Sequence, residues 1–136
     1  MTDEDAPETG VGGGRIMNVG MDIGGTISEM PELMAILAEG LRARGHKVYI
    51  LSLENTLATV ETEQYLKDHG IAHDGLFLLP GGTIDAWEWK PRMAAVLHLD
   101  VMIDDSPELL ARMPDGVKRI GICHPETWDL GRLMED

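Results

Sequence analysis

The stretch that most restricts this chain is residues 16–26, IMNVGMDIGGT. A short apolar run ends in an aspartate, and two glycines and a threonine follow at once. An apolar segment bounded by glycine reads as a buried strand. An acid placed where such a strand runs out lies at the carboxyl edge of a sheet, where open α/β folds collect their ligands. Glycines directly after it let the backbone turn sharply and present bare N–H and C=O groups. Asp22 is therefore the first candidate for chemistry, and each later segment can be tested by whether it converges on it.

Residues 1–14 are acidic and then Gly-rich, with almost nothing to bury, so they are expected to form a disordered tail. The remainder, 15–136, is short enough to be one domain. Strands are predicted at 15–21, 47–51, 76–79, 101–103 and 117–123. Helices are predicted from Pro31 to Gly45, over 59–69, within 84–97 with Pro91 as an alternative start, and over 107–113. Leu33, Ile36, Leu37 and Leu41 recur at helical spacing and mark the expected buried face of the first helix; Val60, Tyr65 and Leu66 do so for the second. Strands alternating with helices predict a parallel sheet covered on both faces. The expected architecture is a single Rossmann-like three-layer α/β domain with short connections and a minimal cap or none.

Composition narrows the function. A formal charge of −13 with no basic run argues against binding duplex nucleic acid or an anionic membrane. No stretch approaches the ~18 apolar residues of a membrane span, and no charged-then-apolar leader opens the chain, so a cytoplasmic location is expected. The single cysteine, Cys123, cannot form an internal disulfide and is expected to be a buried thiol. His46 and His69 look like ordinary surface residues.

Four polar features fall where strands or their loops should end on one edge: Asp22, Ser52, Lys90 and the pair Asp104-Asp105. They stand in MDIGGT, VYILS, WKPRMAAVL and VMIDDSPELL. In this order, over about residues 16–123, the set resembles the haloacid dehalogenase (HAD) superfamily of phosphotransferases, most of all its small capless members similar to deoxyribonucleotidases. The resemblance implies a Mg²⁺-dependent phosphohydrolase with Asp22 as nucleophile and an aspartyl-phosphate intermediate. It places Asp22, the Gly24 carbonyl, Asp104 and Asp105 around the metal. Ser52, Lys90 and Thr26 would then surround the phosphoryl group, with Lys90 also catalytic and Thr26 anchoring the loop. The chemistry is self-consistent. A carboxylate can attack phosphorus, a divalent cation neutralises the meeting anions, and a fixed ammonium stabilises the transferring group.

One position departs from that pattern. The superfamily's second aspartate, two residues after the nucleophile, is here Gly24. Glycine keeps the metal-binding carbonyl but not the carboxyl that protonates the leaving group, a role typically worth ~10²–10⁴-fold in rate. His124, after the last predicted strand, and Glu29, in the loop after Thr26, are the candidates to replace it. Trp87 and Trp89, just before Lys90, are expected to anchor their loop against the core rather than to line a pocket. DIGGT also resembles the phosphate-binding start of sugar kinases of the actin-like ATPase group, but those need two domains and a hairpin where this chain predicts a helix. The partner is then a phosphorylated substrate of unidentified structure. The rival reading is a non-catalytic module binding a phosphorylated ligand or protein.

Overall fold

The computed structural model describes residues 14–55, 58–80 and 85–128. The expected tail, apart from Gly14, lies outside them. Five strands are β1 (Asn18–Met21), β2 (Lys47–Asn55), β3 (Gly75–Leu79), β4 (Val101–Asp104) and β5 (Lys118–Gly121). The helices are α1 (Pro31–Ala43), α2 (Thr59–Asp68), α3 (Ala86–Val96), α4 (Pro107–Ala111) and α5 (Pro125–Trp128). All strand pairs are parallel, in the order β3-β2-β1-β4-β5. The chain begins in the middle of the sheet, steps outward to β3, then returns to lay β4 on the other side of β1. The carboxyl ends of β1 and β4 thus meet where the direction of winding reverses, the place where such sheets form a crevice.

Strand alternation divides the core in two. Val19, Met21, Val48, Ile50 and Ile103 pack with Met34 and Ala38 of α1 and Leu66 of α2. Leu51 and Met102, one residue out of step, pack with Ala94 of α3 and Leu109 and Leu110 of α4. Helices therefore cover both faces, and the apolar strands are what such double burial requires. Among the described residues no helix is long and apolar enough to cross a membrane.

Several local expectations are corrected. In α1 the buried face is Met34 and Ala38, while Leu33, Ile36 and Leu37 are exposed. Val60 of α2 is exposed, and Thr62 with Leu66 faces inward. Helix α3 lies within 84–97 as expected, but not from the alternative start at Pro91: the Asp85 carboxylate accepts the Trp87 N–H at 2.8 Å and caps its N-terminus. Strand β5 ends at Gly121, two residues short of Cys123, whose thiol is exposed. His46 is not a bystander: its Nδ1 accepts the Met17 N–H at 3.0 Å as the chain enters β1.

Candidate active site

Asp22 is the first residue past β1, and its N–H still donates to the Ile103 carbonyl of β4 at 3.0 Å. Asp104 is the last residue of β4, so sheet pairing alone sets these two acids side by side. Lys90, in the second turn of α3, is 1% exposed and reaches both. Its ammonium lies 2.6 Å from Asp22 Oδ1 and 2.9 Å from Asp104 Oδ2. The other Asp104 oxygen accepts the Ser106 N–H at 3.0 Å. The Ser106 hydroxyl caps α4 by accepting the Leu109 N–H at 3.2 Å. Asp105 completes an acidic triad in which carboxylate oxygens of Asp22, Asp104 and Asp105 lie within 4.8 Å of one another.

Three carboxylates against one ammonium leave two uncompensated negative charges in a mostly buried cluster. Burial pushes the Asp22 carboxyl up to about 7; Lys90 opposes this, and Asp104 and Asp105 add to it. Burial and the Asp104 charge likewise raise Asp105. An all-oxygen donor set with two charges to spare fits a small divalent cation such as Mg²⁺. The titration has a measurable consequence. Because the folded value of Asp22 lies above its ordinary 3.8, its contribution to stability is present at low pH and is lost as pH rises through about 7. With chelator present, the protein should melt higher at about pH 5.5 than at about pH 8, and Asp22→Asn should flatten that difference. Scanning calorimetry decides it: equal pH slopes in both proteins would mean that Asp22 is ionised throughout.

The turn after Asp22, Ile23–Ile27, is closed by the Ser28 N–H donating to the Ile23 carbonyl at 2.9 Å. Its two glycines do different work. Gly25 has φ +76, and a Cβ there would run into the Asp105 carboxylate. Only glycine serves that position without strain. Gly24 has φ −66 and ψ 124, ordinary extended values, and a Cβ there would meet nothing within 4 Å. Thr26 is fully buried, its hydroxyl 3.4 Å from Asp22 Oδ2. It braces the nucleophile candidate from behind and is not among the residues lining the cleft.

A cleft of about 240 Å³ opens over this cluster, lined by Asp22, Gly24, Ser52, Lys90, Asp104 and Asp105. Ser52 sits where the β2–β3 ladder loses register, and its hydroxyl accepts the Glu54 N–H at 3.2 Å. A hydroxyl that accepts still carries a proton that it can donate. Trp89 is buried in the core as expected, but Trp87 is 43% exposed and lines the cleft with Leu53 and Leu109. Glu54 also lines it. Strand alternation gave no signal for Glu54, because the ladder loses register here and Leu53, between Ser52 and Glu54, lines the cleft as well.

Neither sequence candidate for a replacement acid lines the cleft. Glu29 is exposed on the loop. His124 lies behind it, Nε2 2.9 Å from the Gly25 carbonyl oxygen and 3.8 Å from Asp105 Oδ2. The Gly25 carbonyl, opposed by burial and aided by Glu29, Asp105 and Glu126, raises the imidazole's pKa. Trp128 donates its indole N–H to the Asp105 carbonyl at 2.9 Å, and Gly121 leaves room for the ring. His124 and Trp128 thus hold the Gly25–Asp105 contact in place from the C-terminal segment.

No protein-family model matches the chain, and no curated protein matches it in sequence. Solved structures do. A chain of the Pnkp1/Rnl/Hen1 complex superposes with TM-score 0.64 at 15% identity, covering 80% of this chain and 47% of that one. A chain of the Pnkp1/Rnl/Hen1 RNA repair complex gives 0.64 at 12% identity, covering 80% and 43%. The core domain of a candidate phosphoglycolate phosphatase from Streptococcus pneumoniae TIGR4, solved by NMR, gives 0.47 at 16% identity, covering 88% and 95%. The chain therefore spans less than half the length of the first two. What is shared at such identities is the fold, a small Rossmann-like α/β domain with no evident cap among the described residues.

Proposed function

We propose that this chain is a Mg²⁺-dependent phosphohydrolase of HAD type in which Asp22 accepts the phosphoryl group. The observation that carries the reading is the Lys90 ammonium held between Asp22 and Asp104, beside Asp105, at the floor of an open cleft. Asp22, Asp105, Asp104 and the Gly24 carbonyl would hold Mg²⁺, which when bound supplies charge neutralisation between nucleophile and phosphoryl oxygens. Lys90 at Oδ1 and Thr26 at Oδ2 fix the plane of the Asp22 carboxylate for attack on phosphorus. Ser52 donates its hydroxyl proton to a phosphoryl oxygen, and Lys90 provides positive charge that needs no reorganisation during transfer. With glycine at 24, the leaving group departs without a proton from that position. Substrates with good leaving groups are therefore favoured.

The test is acid quenching of the protein during turnover of acetyl phosphate, followed by intact-mass measurement. A phosphoryl adduct is expected in wild type with Mg²⁺, and none in Asp22→Asn or with chelator. If wild type binds Mg²⁺ and phosphate yet shows neither adduct nor turnover, the proposal fails and a phosphate-binding module takes its place.

A further inference from the structure

The cleft has two unlike halves, and together with the missing acid they specify what leaves. Its floor is the charged cluster around Lys90. Its wall is apolar, made by Leu53 (44% exposed), Leu109 and the half-exposed indole of Trp87. The tryptophan is held in place: the Arg112 guanidinium lies 5.2 Å from its ring centroid. Asp85 fixes the start of the same helix by capping it. The indole is thus a rigid apolar surface beside the place where a phosphate would sit, with a free part turned to the cleft.

The chemistry at Gly24 selects for the same kind of group. An alcohol's oxygen, with a pKa near the ~15.7 of water, is a poor leaving group unless it is protonated as it departs. A phenol, at about 10, leaves far more readily as the anion. Resting on the proposed function above, we propose that the substrates of this site are phosphate monoesters of aromatic alcohols, with the ring seated against Trp87, Leu53 and Leu109. In the first step an Asp22 oxygen bonds to phosphorus and the phosphorus–aryl oxygen bond breaks. The aryloxide leaves with the bonding electrons and takes its proton from solvent. In the second, water attacks phosphorus, the bond to Asp22 breaks, phosphate leaves, and the carboxylate is regenerated.

The experiment measures kcat/KM with Mg²⁺ for a series of substituted phenyl phosphates, an alkyl phosphate and acetyl phosphate. In parallel, calorimetry measures binding of phenylphosphonate and methylphosphonate to Asp22→Asn. Rates should fall steeply as the leaving group's pKa rises, with phenyl phosphate preferred over the alkyl ester by at least about 10²-fold. Phenylphosphonate should bind about tenfold tighter than methylphosphonate, and Trp87→Ala in that background should erase the difference while Trp87→Phe keeps most of it. Equal binding of the two phosphonates overturns the inference. So does a shallow dependence on leaving-group pKa that Glu54→Gln makes steep, because it would identify an acid in the cleft. Turnover of acetyl phosphate through Asp22 with either of those results leaves the phosphatase reading standing alone. Inertness toward every substrate overturns both.

Discussion

Lys90→Met is expected to cost about 3–5 kcal/mol of stability at neutral pH in the absence of divalent cations. The substitution keeps most of the stem's volume, so the loss is electrostatic rather than a cavity. Lys90 is 1% exposed and makes ion pairs with two acids that are themselves buried, Asp22 at 6% and Asp104 at 1%. Removing one partner of a buried pair leaves the other charge without compensation, and here two are left facing each other. Part of the penalty is escaped by protonation, since burial already holds the Asp22 carboxyl at about 7. The loss should therefore grow as pH rises. It should also shrink when Mg²⁺ is added, because a cation between the same carboxylates replaces the missing ammonium. Urea denaturation with and without Mg²⁺ measures both effects. A loss under about 1 kcal/mol at neutral pH would show that the cluster is not an ion network but a set of neutral acids. A loss that Mg²⁺ does not reduce would argue against a cation site among these carboxylates.

The two strand-end acids were legible in the sequence because each sits at a local boundary. Asp22 and Asp104 follow apolar runs that had to be strands, and strands of one parallel sheet end on a common edge. The contact that unites them was beyond local pattern: Lys90 meets Asp22 across 68 positions of sequence, and only the resemblance to a known arrangement anticipated it. Periodicity failed where two answers had the same period. Leu33, Ile36 and Leu37 form one helical stripe and Met30, Met34 and Ala38 another, and packing against β1 and β2 chose the second. Trp87 was misjudged for a related reason. On a helix at roughly 100° per residue, Trp87 and Trp89 must face nearly opposite ways. With the helix start left open as far as Pro91, that constraint could not be applied. The tether from His124 and Trp128 to the Gly25–Asp105 contact carried no sequence signal, since it depends on how a short segment after β5 folds back over the loop.

Gly24→Asp is expected to raise turnover of alkyl phosphates about 10²–10⁴-fold in the presence of Mg²⁺. The two adjacent glycines make this a clean test. At Gly25 a side chain is forbidden, by a φ of +76 and by the Asp105 carboxylate in its path. At Gly24 it is not: φ −66 with ψ 124 suits any residue, and a Cβ would meet nothing within 4 Å. Gly24 also lines the cleft beside Asp22, so a carboxyl attached there stands near the departing oxygen. The backbone therefore does not require the absence of an acid, and the absence shapes the chemistry instead. An added carboxyl should protonate alkoxides as they leave and change aryl and acetyl phosphates much less, because those leave unaided. The ratio of alkyl to aryl kcat/KM is the informative readout, since it cancels any general change in the amount of active protein. A rise in that ratio would show a working phosphoryl-transfer site that lacks one group. If the ratio stays flat while Mg²⁺ and phosphate still bind, position 24 does not face the leaving group, and the preference for activated esters must have another source.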